Sequence, residues 1–386
     1  MKDVVVDIDG HVAEPITLIM DEYLEPEFKD RPLRLLNDEK GLEYLEINGK
    51  KSVMVQGGAG LGVDAGKAFG AEDFLPFFTP GKVHYYDGMI PEANEPDARA
   101  RWHEGEGVDK ALLYPTLGLS WEDECADPRV AAAYCRAYNN WILDFCKSHP
   151  DRHYPVAHIP TRDVEEAVAE VRRTANLGVK GFMVYSTATN GLYYGNRYFD
   201  PVYEAVQQTG LPFAIHPTTH VDYLGKDTHR GDGGTSGNLS DDFYYITVVI
   251  PFQTQLALIH MISEGAFDRF PHLKYVLLET GATWIAYWLE RLDEKFESEG
   301  HSTTFKEKPS DYFQRQCWIS LEPEEELIPF VVQKVGADRF FWATDFPHHD
   351  GFPGVVGRIR ELLKSLPEED VRKIMGQNGV EVYDLR

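Results

Sequence analysis

Asp9, His11, His216 and Asp345 lie far apart in the chain, and each carries a side chain that binds divalent metal ions. Asp9 and His11 flank one glycine in Asp9-Gly10-His11. In an extended segment, residues two apart point the same way, so both can reach one ion from a single strand. His216 closes the apolar run Ala214-Ile215, and Asp345 closes Trp342-Ala343-Thr344. Two imidazoles with two carboxylates suit Zn²⁺, Mn²⁺ or Fe²⁺ better than Ca²⁺. An ion held this way polarises a substrate oxygen and lowers the pKa of bound water toward ~7. Each piece alone has an ordinary reading: an Asp-x-His triplet recurs by chance, a histidine after a strand packs, and Asp345 caps a turn. Their joint placement at the ends of separate apolar runs is what points to a metal centre.

That placement depends on the elements between them. Short β-rich runs alternate with longer helical patterns, which is the sign of parallel βα units. Eight strands are expected at Val4–Ile8, Lys110–Tyr114, Tyr154–Ile159, Gly181–Tyr185, Pro212–Ile215, Lys274–Leu278, Trp318–Leu321 and Phe340–Ala343. Helices are expected at Val130–Lys147, Val164–Ala175, Pro201–Gln208, Pro251–Phe267, Thr283–Phe296 and Glu324–Val335. Eight strand–helix pairs suit a closed (β/α)₈ TIM barrel, whose active site lies at the C-terminal ends of its strands. Strands one, five and eight then bring the four ligands to one mouth. A doubly wound dinucleotide-binding sheet fits less well, because no GxGxxG follows the first strand.

Residues 1–386 read as a single barrel domain with two insertions. Residues from 12 to about 108 separate the first two strands, far more than an ordinary βα loop. Within them Tyr44–Val53 reads as a hairpin turning at Asn48-Gly49. The second insertion, 218–242, carries His220, His229 and a Gly-rich run, and reads as a lid. Further candidates for substrate or second-metal contacts are His348, three residues past Asp345, His220, four past His216, and His158, near the end of the third strand. His260 sits among Leu256, Leu258 and Ile259 and reads as a packed helical histidine. The aromatics Phe74, Phe77, Phe78, Tyr85, Tyr86, Trp121, Tyr193 and Tyr194 are candidate pocket walls, with plain packing the competing reading for each.

The bulk composition bounds the partners. Hydrophobic residues are 43% of the chain and charged residues 26%, as in folded globular proteins. A formal charge of −25 argues against nucleic acid and against anionic membrane surfaces. The expected partner is a small-molecule substrate. Cys125, Cys135, Cys146 and Cys317 show no paired spacing, which fits reduced thiols in a cytoplasmic protein. The N-terminal run is interrupted by Asp7 and Asp9, and no apolar run approaches the length of a spanning helix.

From Val4 to about Tyr383 the sequence resembles the amidohydrolase superfamily, in its branch of aminocarboxymuconate-semialdehyde and γ-resorcylate decarboxylases. The resemblance rests on Asp9-Gly10-His11, His216-Pro217, Phe267–Lys274 and Thr344–His348. It implies that Asp9, His11, His216 and Asp345 hold one catalytic ion, usually zinc or manganese, and that the chain forms a homodimer. Two positions depart from the branch. Where it has a histidine after strand six, this chain has Glu279 in Glu279-Thr280-Gly281. Glu279 there is a candidate proton-transfer group, second-metal ligand or hydrogen-bonding group. Strand four ends Met183–Thr187 without a lysine, which removes the carbamylated-lysine bridge of dinuclear members. The leading expectation is hydrolysis of a small aromatic or carboxylate-bearing substrate, with Asp345 and Glu279 as the proton-handling pair. Non-oxidative decarboxylation uses the same four ligands. A dinuclear non-haem iron oxygenase and a non-catalytic binding barrel are the remaining readings.

Overall fold

The computed structural model describes residues 3–56, 65–71, 79, 81–218, 245–349 and 351–386. The first strand, β1 (Val6–Val12), is followed by an inserted antiparallel sheet of β2 (Arg34–Asn37), β3 (Glu43–Ile47) and β4 (Lys50–Gln56). As expected, β3 and β4 turn at Asn48-Gly49, where φ is 50° and 75°. Both values lie in the left-handed region that such two-residue turns require. The barrel continues with β5 (Lys110–Pro115), β6 (His153–His158), β7 (Gly181–Tyr185), β8 (Phe213–His216), β9 (Tyr275–Leu277), β10 (Cys317–Leu321) and β11 (Phe340–Trp342). All eight of its strands are parallel, in the order β1-β5-β6-β7-β8-β9-β10-β11. Helices between them, among them Pro128–Cys146, Val164–Leu177, Ile250–Ser263 and Trp284–Glu299, make the outer layer of a (β/α)₈ TIM barrel.

The two-residue alternation of the strands sorts side chains between two cores. Leu112, Tyr114, Val156, Met183, Ala214, Val276 and Phe341 fill the barrel interior. Their neighbours Leu113, Ala157, Val184, Ile215, Leu277 and Trp342 pack outward under the helices. On β8 this alternation carries His216 inward, one step beyond Ala214. On β1 it does not suffice. Val6 and Ile8 face inward, so plain alternation would send Asp9 and His11 outward. The pairing of β1 with β5 slips between Asp7 and Gly10, with Asp7 opposite Ala111 and Gly10 opposite Leu113. This extra residue is a β-bulge, and a bulge re-aims the side chains that follow it. Asp9 and His11 are thereby turned to the interior, while Asp7 and Gly10 share the outer side.

The ends of the sheet meet around the same residues. Asp7 accepts from the Thr344 backbone N–H at 3.0 Å and from its hydroxyl at 2.6 Å. The Asp345 N–H donates to the Asp9 carbonyl at 3.2 Å, and the His11 N–H to the Phe346 carbonyl at 2.7 Å. These bonds join β1 to the segment leaving β11 and close the cylinder. The expected first strand, Val4–Ile8, stops too early: Asp9 and His11 lie inside β1, and His216 likewise lies inside β8. The lid insertion 218–242 falls almost wholly outside the described residues, with His220 and His229. All four cysteines are buried and free. Among the described residues no helix is long and apolar enough to cross a membrane.

Gly10 is the tight point of the bulge. A Cβ there would stand 2.8 Å from Asp7 Oδ2, 3.0 Å from an Arg99 guanidinium nitrogen and 3.3 Å from the Leu112 carbonyl. Gly10→Ala should therefore cost about 1–3 kcal/mol, the usual scale for overpacking. Thermal unfolding of the purified variant checks this, and an unchanged Tm would show that the bulge has room to spare.

Candidate metal centre

His11 and His216 are fully buried, and each is fixed by its own backbone surroundings. Nδ1 of His11 lies 2.7 Å from the Pro115 carbonyl, and Nδ1 of His216 lies 2.8 Å from the Pro217 carbonyl. A carbonyl only accepts, so each Nδ1 carries the proton and donates it. Each Nε2 is left to the barrel mouth, the arrangement in which imidazoles bind metals. The two Nε2 atoms stand 3.3 Å apart. Asp9 Oδ1 is 3.6 Å from both of them. Asp345 Oδ1 is 3.4 Å from His11 Nε2. Glu279 Oε2 is 2.8 Å from His216 Nε2 and 3.7 Å from His11 Nε2. Donor atoms of Asp9, His11, His216 and Glu279 all lie within 4.8 Å of one another, as do those of His11, Glu279, Asp345 and His348.

Such a set fits a divalent ion on electrostatic grounds. With bonds of about 2.0–2.1 Å, a tetrahedral ion holds its nitrogen ligands roughly 3.3 Å apart. Without a positive charge between them, two ring nitrogens and several carboxylates facing one another in a buried site repel. The chain alone answers with a proton on His216. Burial works against an imidazolium there, but the carboxylates of Glu279 and Asp9 outweigh it and raise the pKa to about 9. Burial, then the neighbouring His348 and His216, push His11 well below the ordinary histidine range.

A surrounding layer holds these ligands in place. Arg99 is wholly buried on the helix Pro96–Glu106, with its guanidinium over the ring of Phe346, 4.4 Å from the centroid. It donates to the Phe346 carbonyl at 3.2 Å and to His103 Nε2 at 3.1 Å. That carbonyl also receives the His11 N–H, so Arg99 steadies both a ligand on β1 and the loop that carries Asp345. His348 stacks on the His11 ring at 4.0 Å between centroids. Its Nδ1 lies 2.9 Å from Asp345 Oδ1, and its Nε2 lies 3.0 Å from Thr116 Oγ1. Thr116 is set in turn by Glu14, whose carboxylate accepts from the backbone N–H groups of Thr116, Leu117 and Gly118 at 3.1, 3.0 and 2.8 Å. Against these three donors, burial pushes the Glu14 carboxyl up to about 7.

The candidate residues thus divide. Asp9, His11, His216, Asp345, Glu279 and His348 come together at the mouth. His158 stands in a separate buried group with Glu122 and Cys135, its Nε2 3.2 Å from Glu122. His220 lies outside the described residues. His260 pairs with Glu264 at 2.7 Å and stacks on Tyr193 at 3.8 Å. Tyr85, Trp121 and Tyr194 are buried, and Tyr86 is 42% exposed. Phe74, Phe77 and Phe78 fall outside the described residues. Asp7, Glu14, Arg99 and Thr116 were not legible around the site, because Asp7, Glu14 and Arg99 act through backbone groups, and Thr116 through the His348 ring, all distant in sequence.

The family model described as Amidohydrolase matches residues 83–385. The chain belongs to the amidohydrolase family. A 2-amino-3-carboxymuconate-6-semialdehyde decarboxylase of Dictyostelium discoideum is 25% identical over 296 residues, covering 75% of this chain and 77% of that protein. A γ-resorcylate decarboxylase of Polaromonas is 24% identical over 326 residues, covering 77% and 93%. Among solved structures, an amidohydrolase from Mycobacterium avium subsp. paratuberculosis superposes with a TM-score of 0.78 at 24% identity, covering 99% and 100% of the two chains. A dihydroxybenzoic acid decarboxylase from Polaromonas, solved with bound manganese and 2-nitroresorcinol, gives 0.68 at 19% identity over 99% and 97%. This amidohydrolase is thus an enzyme with the family's barrel, and its expected branch is the one found.

Two substitutions test the centre. His216→Ala should leave a folded amidohydrolase that retains less than about one tenth of the bound metal, since it removes a ligand itself. Metal content by mass spectrometry, on protein purified without chelator, reads this directly. Arg99→Met removes the donor to Phe346 O while keeping much of the side-chain bulk. It should cost about 1–3 kcal/mol, for a buried carbonyl that loses one of its two donors and a His103 nitrogen that loses its partner, and weaken metal binding by about 10- to 100-fold. A lowered Tm with unchanged metal affinity would make Arg99 a packing residue only.

Proposed function

We propose that this amidohydrolase is a metal-dependent, non-oxidative decarboxylase of a small aromatic carboxylate, with Asp9, His11, His216 and Asp345 holding one divalent ion. The observation that carries the choice is the company of the chain: the two curated relatives named above are both decarboxylases. The geometry fits hydrolysis equally well, because both reactions use the same four ligands. Glu279 in place of a histidine inclines the sequence toward hydrolysis, but one residue weighs less than the likeness along three quarters of the chain.

When bound, the ion would polarise the oxygens of a chelating substrate and draw charge away from the bond to be broken. The protein's own groups do the rest. Buried His11 and His216, locked by carbonyls at Nδ1, present a fixed edge against which a planar substrate is oriented. Asp345 and His348 form a proton-carrying pair, 2.9 Å apart, with the far side of the imidazole tied to Thr116. In the reaction the carbon–carboxylate bond breaks, CO₂ departs, and its electron pair takes a proton at the vacated ring carbon. Asp345 is placed to deliver that proton and His348 to resupply it. A positioned acid of this kind contributes about 10²–10⁴ in rate.

The test is turnover of metal-loaded protein on a panel of hydroxylated aromatic carboxylates in D₂O. CO₂ release with one deuterium at the carbon that bore the carboxylate is the expected result. Release of alcohol or amine from esters or amides, with no CO₂ from the carboxylates, would instead establish hydrolysis. His348→Gln should slow decarboxylation by about 10²-fold or more through loss of the proton relay, with metal content measured alongside because His348 also stacks on His11 and bonds Asp345.

A further inference from the structure

Glu279 reaches the mouth by an unusual backbone route. Val276 and Leu278 face the barrel interior, so an extended residue 279 would point outward. Its φ is instead 47°, in the left-handed region. For a residue other than glycine this costs about 1–3 kcal/mol and persists only where the surroundings impose it. The Glu279 N–H donates to Ser320 Oγ at 3.1 Å, which pins the turn from β10. The reversal brings a carboxylate oxygen against the Nε2 atoms of His216 and His11, at 2.8 and 3.7 Å. A group meant to carry protons to substrate gains nothing by facing the ligand atoms.

The spacing is that of a coordination shell. For bonds of about 2.1 Å, donors at right angles lie about 3.0 Å apart and donors at 120° about 3.6 Å apart. Six separations in this group, each involving His11 or His216, run from 2.8 to 3.7 Å, and Glu279 belongs both to the set with Asp9, His11 and His216 and to the set with His11, Asp345 and His348. We propose that Glu279 is a fifth protein donor to the same ion, in the place where the resemblance leads one to expect a histidine. The inference rests on the metal centre proposed above and assigns Glu279 a ligand's role in it rather than an acid–base role. The donor set becomes two imidazole nitrogens and three carboxylates. Such a shell is richer in hard oxygen, which moves its preference from zinc toward Mn²⁺ or Fe²⁺. It also leaves one position of an octahedral ion for a substrate oxygen, where four ligands would leave two.

The test uses the full chain, stripped of metal and titrated with Mn²⁺, Zn²⁺ and Co²⁺ against a chromophoric chelator. Glu279→Ala, Glu279→Gln and Glu279→His are compared with the unaltered protein, with circular dichroism and Tm confirming the fold of each. The Ala and Gln variants should bind Mn²⁺ at least about tenfold more weakly, since even outer partners of ligands cost that much. The Co²⁺ form of the Ala variant should absorb more strongly in the visible as its coordination number falls. Glu279→His should shift the ratio of affinities toward Zn²⁺. Unchanged Mn²⁺ affinity and an unchanged Co²⁺ spectrum in folded Ala and Gln variants would overturn the assignment while leaving the four-ligand centre standing. An unaltered protein that binds no ion at all would overturn the centre as well.

Discussion

Two imidazole nitrogens that each have a lone pair to give, held 3.3 Å apart inside a ring of carboxylates, need a positive charge between them. Among the described residues both rings are locked by backbone carbonyls, so neither can turn away. In water a carboxylate is solvated, and an imidazole changes tautomer without penalty. In the buried mouth neither escape exists, and the low dielectric strengthens every unbalanced interaction. A proton on His216 meets the need in the bare chain. A divalent ion meets it better, since it can serve several donors at once, where a proton serves two.

The hydrogen bonds that assemble this centre are also the ones that close the barrel. Asp345 N–H to Asp9 carbonyl and His11 N–H to Phe346 carbonyl join the first strand to the last. Asp7 adds the Thr344 contacts just outside. Asp9 and His11 on β1 and Asp345 after β11 therefore cannot separate without opening the cylinder. This coupling accounts for a left-handed φ of 54° at Asp345. A strained backbone survives where surrounding bonds over-determine it, and here the closure of the fold supplies those bonds. Stability and site geometry are one constraint on this side of the molecule.

How far the sequence discloses such a centre depends on the kind of signal. Strand–helix alternation announced eight barrel strands, and the hairpin at Asn48-Gly49 followed from turn chemistry alone. His216 was placed by simple alternation, which β8 obeys. Asp9 and His11 were expected at the mouth, where the structure puts them, for an incomplete reason. Their shared direction follows from a spacing of two, but their inward direction follows from a bulge at Asp7–Gly10 that no local pattern reveals. The first strand was cut short at Ile8 because buried acids resemble a strand end. Arg99 and Glu14 were invisible for a related reason: charged side chains read as surface unless one knows which carbonyls and N–H groups they meet. For the aromatic residues the sequence left pocket wall and packing side by side, and Tyr85 and Trp121 are buried.

The acidity of the chain sharpens what recognition must do. A formal charge of −25 repels a carboxylate-bearing substrate at long range. At physiological ionic strength such fields fade beyond about 8 Å, so the repulsion slows encounter without deciding binding. Attraction has to arise within the mouth itself. The buried Arg99 cannot provide it, because its guanidinium lies on the outer side of β1, turned toward Phe346 and His103. In the function proposed above, a bound ion would supply a positive charge for the substrate at the floor of the mouth. Each carboxylate ligand added around the ion lowers the charge left for the substrate. A centre with more carboxylate ligands would therefore hold its metal more firmly and an anionic substrate more loosely.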